Sequence, residues 1–159
     1  MTDDAFVPGS STARDRLVVA GAYLLALIVS ALVGMYVSDL PPIWVAALAD
    51  LVGTALIFEF SLRLDNSSVY DPYWSVAPVV IAAYWWLVGV GADVLIRPAI
   101  VLALVLVWAV RLTMNWVRRW NGLRDEDWRY VMLRERHGKR YWVVSWMGIH
   151  LLPTVLVFL

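Results

Sequence analysis

Five apolar stretches, each long enough to cross a bilayer as a helix, take up most of this 159-residue chain. A helix needs about 20 mostly apolar residues to span the hydrocarbon core of a membrane. The stretches cover residues 17–37, 43–62, 76–92, 98–117 and 141–159. The sequence therefore predicts an all-α fold, a multi-span transmembrane helical bundle of about five spans.

The composition agrees with the membrane class. Hydrophobic residues make up 62% of the chain and charged residues 16%, whereas soluble domains are about half apolar and about a quarter charged. Ten Trp and seven Tyr are typical of proteins whose aromatic rings lie at the membrane interface. The chain has no Cys and two His, which excludes disulfides and thiolate zinc sites, and no metal site is predicted.

Proline marks two of the span boundaries. The "SDLPP" segment separates the first two spans, and Pro98 after Arg97 suits the first turn of the fourth. The first apolar stretch is longer than a signal-peptide core, so we expect a retained helix. Residues 1–16 are predicted to be a flexible cytoplasmic N-terminus, and residues 17–159 a single transmembrane helical domain.

Basic residues predict the orientation. Eight of the 13 Lys and Arg residues lie in the segment 118–140, after the fourth span. The positive-inside rule places this segment in the cytoplasm, together with the N-terminus and the loop before the third span. The C-terminus is then expected on the opposite side. Within this segment, acids at the start and Gly138 at the end predict a short amphipathic cytoplasmic helix.

Two spans carry polar groups on one helix face. Asp50 shares a face of the second span with Thr54 and Ser61. It is expected either to make a structural hydrogen bond to a neighbouring helix or to line a functional cavity. Glu59 lies on the opposite face, four residues before Arg63, which favours a surface ion pair, with a pocket acid as the alternative.

The fourth span carries a basic stripe. Arg111, Asn115 and Arg118 follow one another at spacings of four and three. Arginine suits phosphate recognition, because its planar guanidinium group donates two parallel hydrogen bonds. The stripe predicts either contact with a cofactor phosphate or lipid head group, or a plain topology signal.

The segment "DNSSVYDPYWSV", residues 65–76, is more polar than a plain turn requires. Asn and Ser side chains can bond backbone groups that a helix end leaves free. The Asp-Pro pair at 71–72 favours a turn into the next helix. We predict an ordered loop that re-enters the bundle, either as a functional element or as an anchored turn.

Three short motifs give the chain a resemblance to a known family. They are Asn-Ser-x-x-x-Asp-x-x-Trp at 66–74, Arg-Leu-x-x-Asn at 111–115 and Asp-x-Arg-Tyr at 127–130. In this order, over roughly residues 45–159, they resemble the N-terminal part of an integral-membrane family related to steroid 5-alpha-reductases. The resemblance implies reduction of a carbon–carbon double bond conjugated to a carbonyl. The hydride would come from NADPH, and the substrate would be a steroid or isoprenoid-like lipid.

The resemblance also implies site residues. Relatives polarise the substrate carbonyl with an acid and a Tyr, for which the sequence leaves Asp50, Glu59, Asp71, Tyr70 and Tyr73 open. We rank Asp71, Tyr73 and Glu59 first as catalytic residues. The implied cofactor-binding residues are Arg111, Asn115, Arg118, Asp127, Arg129 and Tyr130. The predicted partners are membrane lipids and a lipid-like small molecule, with no nucleic acid.

The chain departs from the family pattern in two ways. The later Arg-x-Pro-Asn-Tyr segment of the family does not occur in it, and His150 stands where relatives often carry Gln. We therefore expect pairing with further C-terminal helices or homo-oligomer formation. The alternative function is a non-catalytic membrane assembly or lipid-binding protein. A transporter with Asp50 as its ion site ranks last, because no interrupted pair of spans is present.

Overall fold

Helices make up nearly all of the structure, a computed structural model that describes residues 9–89 and 96–159. Residues 1–8 of the predicted N-terminal segment and residues 90–92 of the third predicted span lie outside these ranges. The helices are α1 (Gly9–Tyr36), α2 (Pro42–Arg63), α3 (Tyr73–Val88), α4 (Ile96–Arg119), α5 (Trp128–His137), α6 (Tyr141–Val144) and α7 (Leu152–Phe158). A 3₁₀ turn precedes α3 at Ser67–Val69, and a π-helix at Ser145–Leu151 joins α6 to α7.

The helical membrane fold is confirmed, with some changes of boundary. Four segments of the described chain are long and apolar enough to cross a membrane: Thr12–Tyr36, Pro42–Arg63, Ile96–Arg119 and Trp128–Phe158. The third predicted span begins at Tyr73, and its helix has 16 residues up to Val88. The predicted surface helix, α5, ends at His137 as expected, and the chain continues through Gly138–Arg140 into the last span.

The first helix begins at Gly9, eight residues before the apolar stretch that predicted it. Its polar first turns are held by the last turn of α4 and by the segment that follows it. The Asp15 carboxylate accepts a hydrogen bond from the Leu123 backbone N–H at 2.9 Å, and the Arg16 guanidinium donates to the Val117 carbonyl at 2.7 Å. Gly122 has φ +113°, and a Cβ there would lie 2.6 Å from an Asp15 oxygen, so this contact requires glycine.

The helices pack in pairs, α1 with α2 and α3 with α4, while the last span lies against α2 and α3. The core contains small and aromatic side chains from all parts of the bundle: Val19, Ala22, Ala26, Ile57, Val69, Tyr70, Tyr73, Trp120 and Ile149. Large apolar side chains cover the outer faces of α1 and α4, which suits contact with lipid. The ends of the bundle differ: the "turn end" carries residues 37–41, and the "cap end" carries residues 64–72 and 120–130.

Candidate functional site

The loop between α2 and α3 is buried inside the bundle, as the sequence predicts. Each residue from Asn66 to Tyr70 is at most 2% exposed. Asp65, two residues after the end of α2, lies in the left-handed region at φ 49°, a conformation that Asp tolerates better than most residues. The Asn66 side chain then caps the 3₁₀ turn by accepting from the Ser68 backbone N–H at 2.8 Å. The loop is therefore a structural element of the core.

A second segment lies over this loop and bonds to it at several points. The Ser67 backbone N–H donates to Glu126 Oε1 at 2.8 Å, and the Asp127 backbone N–H donates to Ser68 Oγ at 2.8 Å. The Asn66 amide donates to the Leu123 carbonyl at 2.8 Å. Residues 64–72 and 120–130 thus form one polar unit, here named the cap.

Four of the predicted site residues meet in the cap. The Tyr130 hydroxyl donates to Asp71 Oδ1 at 2.5 Å. Arg129 donates to both carboxylate oxygens of Asp127, at 2.7 and 3.0 Å, and this contact holds the pKa of Asp127 below its usual range. The first and third sequence motifs therefore meet in the cap, but their polar side chains are hydrogen-bonded within two pairs, Asp71 with Tyr130 and Asp127 with Arg129.

Asp71 is a buried carboxyl group of the cap, and its raised pKa makes the stability of the fold depend on pH. Burial raises its pKa to about 7, against a lowering effect of the hydrogen bond from Tyr130. Asp127 and Glu126 raise the pKa further, and Arg129 lowers it. A carboxyl group whose pKa is higher in the folded than in the unfolded state favours folding when it is protonated.

The raised pKa of Asp71 predicts that the free energy of unfolding depends on pH. The contribution of Asp71 should be complete below pH about 4 and should be lost as the pH rises to about 7. The slope of a single group is at most about 1.4 kcal/mol per pH unit. We expect Asp71→Asn, whose amide oxygen still accepts from Tyr130, to remove this slope in unfolding measurements from pH 4 to 8. An unchanged slope in the variant would show that another group is responsible.

The basic stripe of α4 stands apart from the paired cap residues. Arg111, Asn115 and Arg118 are exposed and, with Leu112, line a small cavity of about 340 Å³. None of the three polar side chains has an ion pair or hydrogen bond within the described residues. They are three neighbouring donors at one helix end, available to an anionic group.

The three predicted catalytic residues lie in different places. Glu59 pairs with Arg63 at 2.7 Å on an exposed surface, as the surface ion-pair interpretation predicts. Asp71 belongs to the cap. The Tyr73 hydroxyl instead lies 3.2 Å from Asp50 Oδ1, to which it donates. The acid nearest to Tyr73 is thus Asp50, which the sequence leaves open as a candidate acid below Asp71 and Glu59.

Asp50 and Tyr73 lie at one end of an apolar cavity of about 580 Å³, here named the groove. The walls are α1 and α3, and α2 with the 38–42 turn forms the floor. Its lining residues are Tyr23, Ala26, Leu27, Ser30, Ala31, Gly34, Met35, Ser38, Leu40, Pro42, Val45, Ala46, Ala49, Asp50, Tyr73, Val76, Ala77, Val80, Ile81, Tyr84 and Val88. A cavity of this volume, apolar with a few polar groups at one place, is typical of sites for small ligands.

Close packing brings the polar groups of the groove together. A Cβ at Gly53 would collide with the Tyr73 hydroxyl and would lie 2.8 Å from Ser30 Oγ. Glycine at position 53 therefore lets the phenol and the Ser30 hydroxyl approach α2. The sequence offered no signal for Ser30 or Gly53, because their role depends on the contact between helices.

A buried hydroxyl chain continues from α2 into the last span. Thr54 and Thr154 are hydrogen-bonded at 2.8 Å, and Thr154 is 2.8 Å from the Tyr70 hydroxyl, which donates to the His150 carbonyl. His150 is buried in the π-helix, with Nε2 3.1 Å from Ser61 Oγ and Nδ1 3.0 Å from a backbone carbonyl. Both ring nitrogens have partners, so His150 connects α2 to the last span.

Sequence comparison assigns the chain to a family. Residues 57–159 match the family described as "Protein of unknown function (DUF1295)". This chain belongs to the DUF1295 family. The matched region contains the cap, Tyr73 and the basic stripe, whereas Asp50 lies before it.

A curated relative adds a comparison of length. The chain is 26% identical over 121 residues to the uncharacterized protein C594.04c of Schizosaccharomyces pombe, which covers 74% of this chain and 35% of the relative. The DUF1295 chain thus spans about a third of the length of the curated relative it matches. No solved structure matches it.

Proposed function

We propose that this chain forms the substrate-binding part of a membrane-bound, NADPH-dependent reductase. Its substrate is a steroid or isoprenoid-like lipid with a carbon–carbon double bond conjugated to a carbonyl. The observation that carries the proposal is the Asp50–Tyr73 pair at the end of an apolar groove. The resemblance of the cap and stripe motifs to reductases related to steroid 5-alpha-reductases supports the reaction type.

The polar pair suits activation of a carbonyl. The Tyr73 hydroxyl lies 3.2 Å from Asp50 Oδ1, and its single hydrogen can turn from Asp50 to a substrate oxygen that enters the groove. In a site shielded from water, such a donor stabilises developing negative charge more strongly than it would in solution. Ser30 lies close enough to the same place to offer a second hydroxyl.

NADPH, when bound, supplies the hydride that adds to the double bond. Negative charge would then develop on the carbonyl oxygen, where Tyr73 donates a hydrogen bond or a proton, and protonation of the α-carbon of the enol or enolate would complete the saturated product. Asp50 holds the phenol in place before the substrate binds, because the Tyr73 hydroxyl lies within hydrogen-bond distance of its carboxylate and its backbone carbonyl, at 3.2 and 3.3 Å. The apolar walls keep bulk water from the reacting carbons.

The residues of this chain fit the phosphates of such a cofactor. Arg111, Asn115 and Arg118 are exposed donors on one face of α4, near the end that carries the cap. Arg129 is less suited, because Asp127 already occupies its guanidinium group. We therefore assign phosphate contacts to the α4 stripe, and assign Asp127, Arg129 and Tyr130 to the shape of the cap. By the positive-inside rule, the cap end faces the cytoplasm.

Binding of NADPH to the purified chain tests the cofactor assignment. We expect saturable binding by calorimetry, and we expect Arg111→Ala to weaken it about 10- to 100-fold, the effect of losing a charged hydrogen bond. Arg97→Ala is the matched control, because Arg97 lies at the other end of the same helix and should leave binding unchanged. Equal binding by the two variants would refute the assignment of the stripe.

The alternative function is a non-catalytic membrane assembly or lipid-binding protein. It is favoured by the internal pairing of Asp71 with Tyr130 and of Asp127 with Arg129, which a purely structural cap would also require. Absence of NADPH binding by the chain, and by the chain extended with the C-terminal helices of a family relative, would support this alternative. Binding only by the extended chain would support a reductase whose cofactor site needs those helices.

A further inference from the structure

The groove is closed at the cap end. The Tyr23 hydroxyl donates to the Val69 carbonyl at 2.7 Å, which ties α1 to the buried loop. The Tyr23 ring meets Tyr73 edge to face, with 6.0 Å between the ring centres. A ligand therefore reaches the Asp50–Tyr73 pair from the turn end or from the side.

From this closed end, the groove continues along the whole of α3. Its lining runs from Tyr73 to Val88, and 15 residues of helix rise about 22 Å. This length exceeds one half of a bilayer core that is about 30 Å thick. Small residues line the groove on α1 and α2, at Ala31, Gly34 and Ala46, where the side chains take little of its width.

The long side of the groove is open. On α1 the lining residues Leu27 and Met35 are 46% and 63% exposed, and on α3 Val80 and Val88 are 43% and 46% exposed. In a membrane, these side chains border on lipid tails. A lipid can therefore move sideways into the groove without leaving the bilayer.

We infer that the groove binds a single extended hydrocarbon chain, with its carbonyl end at Asp50 and Tyr73 and its tail towards the turn end. The position of the carbonyl rests on the proposed function; the extended tail rests on the length, the small lining residues and the open side of the groove. A compact fused-ring ligand would fill only the part near the polar pair. The structure thus favours straight-chain or isoprenoid substrates over steroids.

Substitutions at two distances from Tyr73 along the groove test the inference, because each should limit the length of hydrocarbon chain that the groove accepts. Gly34 lies near the turn end, and its Cβ would meet Val45 at an ordinary contact distance of 3.6 Å, so Gly34→Leu fills the groove without a backbone clash. Ala31→Leu blocks the groove three residues closer to Tyr73, a difference of about 4.5 Å. Gly21→Leu is the matched control on the same helix, because nothing lies within 4 Å of its Cβ.

The probe is a series of straight-chain, α,β-unsaturated methyl esters of increasing length, with a fused-ring enone for comparison. Affinity for the purified chain is measured by native mass spectrometry without NADPH. The ratio of wild-type to variant affinity is taken at each length, because partitioning of the ester into detergent cancels in this ratio. We expect Gly34→Leu to weaken the long esters at least tenfold and to leave the short ones unchanged. Ala31→Leu should begin to weaken binding at a shorter ester.

Two results would overturn the inference: ratios that do not depend on ester length, or tighter binding of the fused-ring enone than of every ester. The outcome is separate from that of the reductase proposal. A length-dependent ratio without reduction of the esters, either by the chain or by the chain extended with the C-terminal helices of a family relative, keeps the extended-chain site and rejects the reductase. Reduction of the esters, together with affinity ratios that do not depend on ester length, keeps the reductase and rejects the extended-chain site.

Discussion

Tyr73→Phe is expected to lower the rate of NADPH-dependent reduction of a conjugated enone by about 10²- to 10⁴-fold, the usual effect of losing a general acid. The substitution removes the hydroxyl that lies 3.2 Å from Asp50 and keeps the ring that packs on Tyr23 and Tyr70. Because the ring still forms the wall of the groove, the loss should fall on kcat rather than on KM. The measurement is the rate of NADPH oxidation, with the saturated product quantified.

Tyr36→Phe is the matched control for this substitution. Tyr36 is a largely exposed tyrosine at the end of α1 whose side chain does not line the groove, so its variant should keep the wild-type rate. Asp50→Asn provides a second comparison, because its amide oxygen can still accept from Tyr73 while the charge is lost. Equal rates for Tyr73→Phe and Tyr36→Phe would exclude Tyr73 as the donor to the carbonyl.

The sequence predicted the helices well because each membrane helix satisfies its own backbone. Hydropathy alone therefore located α2 and α4 to within two residues of their observed ends. It missed the early start of α1 at Gly9, because the polar first turns of this helix depend on contacts with a segment more than 100 residues away. Such contacts leave no periodic signal in the sequence.

The candidate site was predicted only in part, and for a similar reason. The motifs identified Asp71 and Tyr130 as site residues, but did not predict that they would bond to each other. The pairing of Tyr73 with Asp50 depends on how deeply the loop before α3 enters the bundle and on the space that Gly53 leaves beside α2. A polar residue within a span signals an inward face, whereas its partner is decided by the packing of helices.

Asn66→Asp is expected to destabilise the protein by about 3–5 kcal/mol at neutral pH, the cost of an uncompensated buried charge. The Asn66 amide nitrogen donates to the carbonyl oxygens of Leu123 and Asp125, at 2.8 and 3.2 Å, in a site where the residue is 1% exposed. A carboxylate would place an acceptor against these two acceptors. Asn66→Ala, which loses the hydrogen bonds but adds no charge, should cost less, about 2–4 kcal/mol.

Unfolding in SDS, followed by tryptophan fluorescence, gives the measurement. Trp120 is one of the ten Trp that contribute to this signal, and it lies at the same place, because its indole N–H also donates to the Asp125 carbonyl. Asn115→Asp, at an exposed position on α4, should change stability by no more than about 0.5 kcal/mol. Lowering the pH should narrow the gap between Asn66→Asp and Asn66→Ala, because a protonated carboxyl can donate to one of the two carbonyls. If Asn66→Asp and Asn115→Asp unfold at the same SDS concentration, Asn66 does not hold the two parts of the cap together.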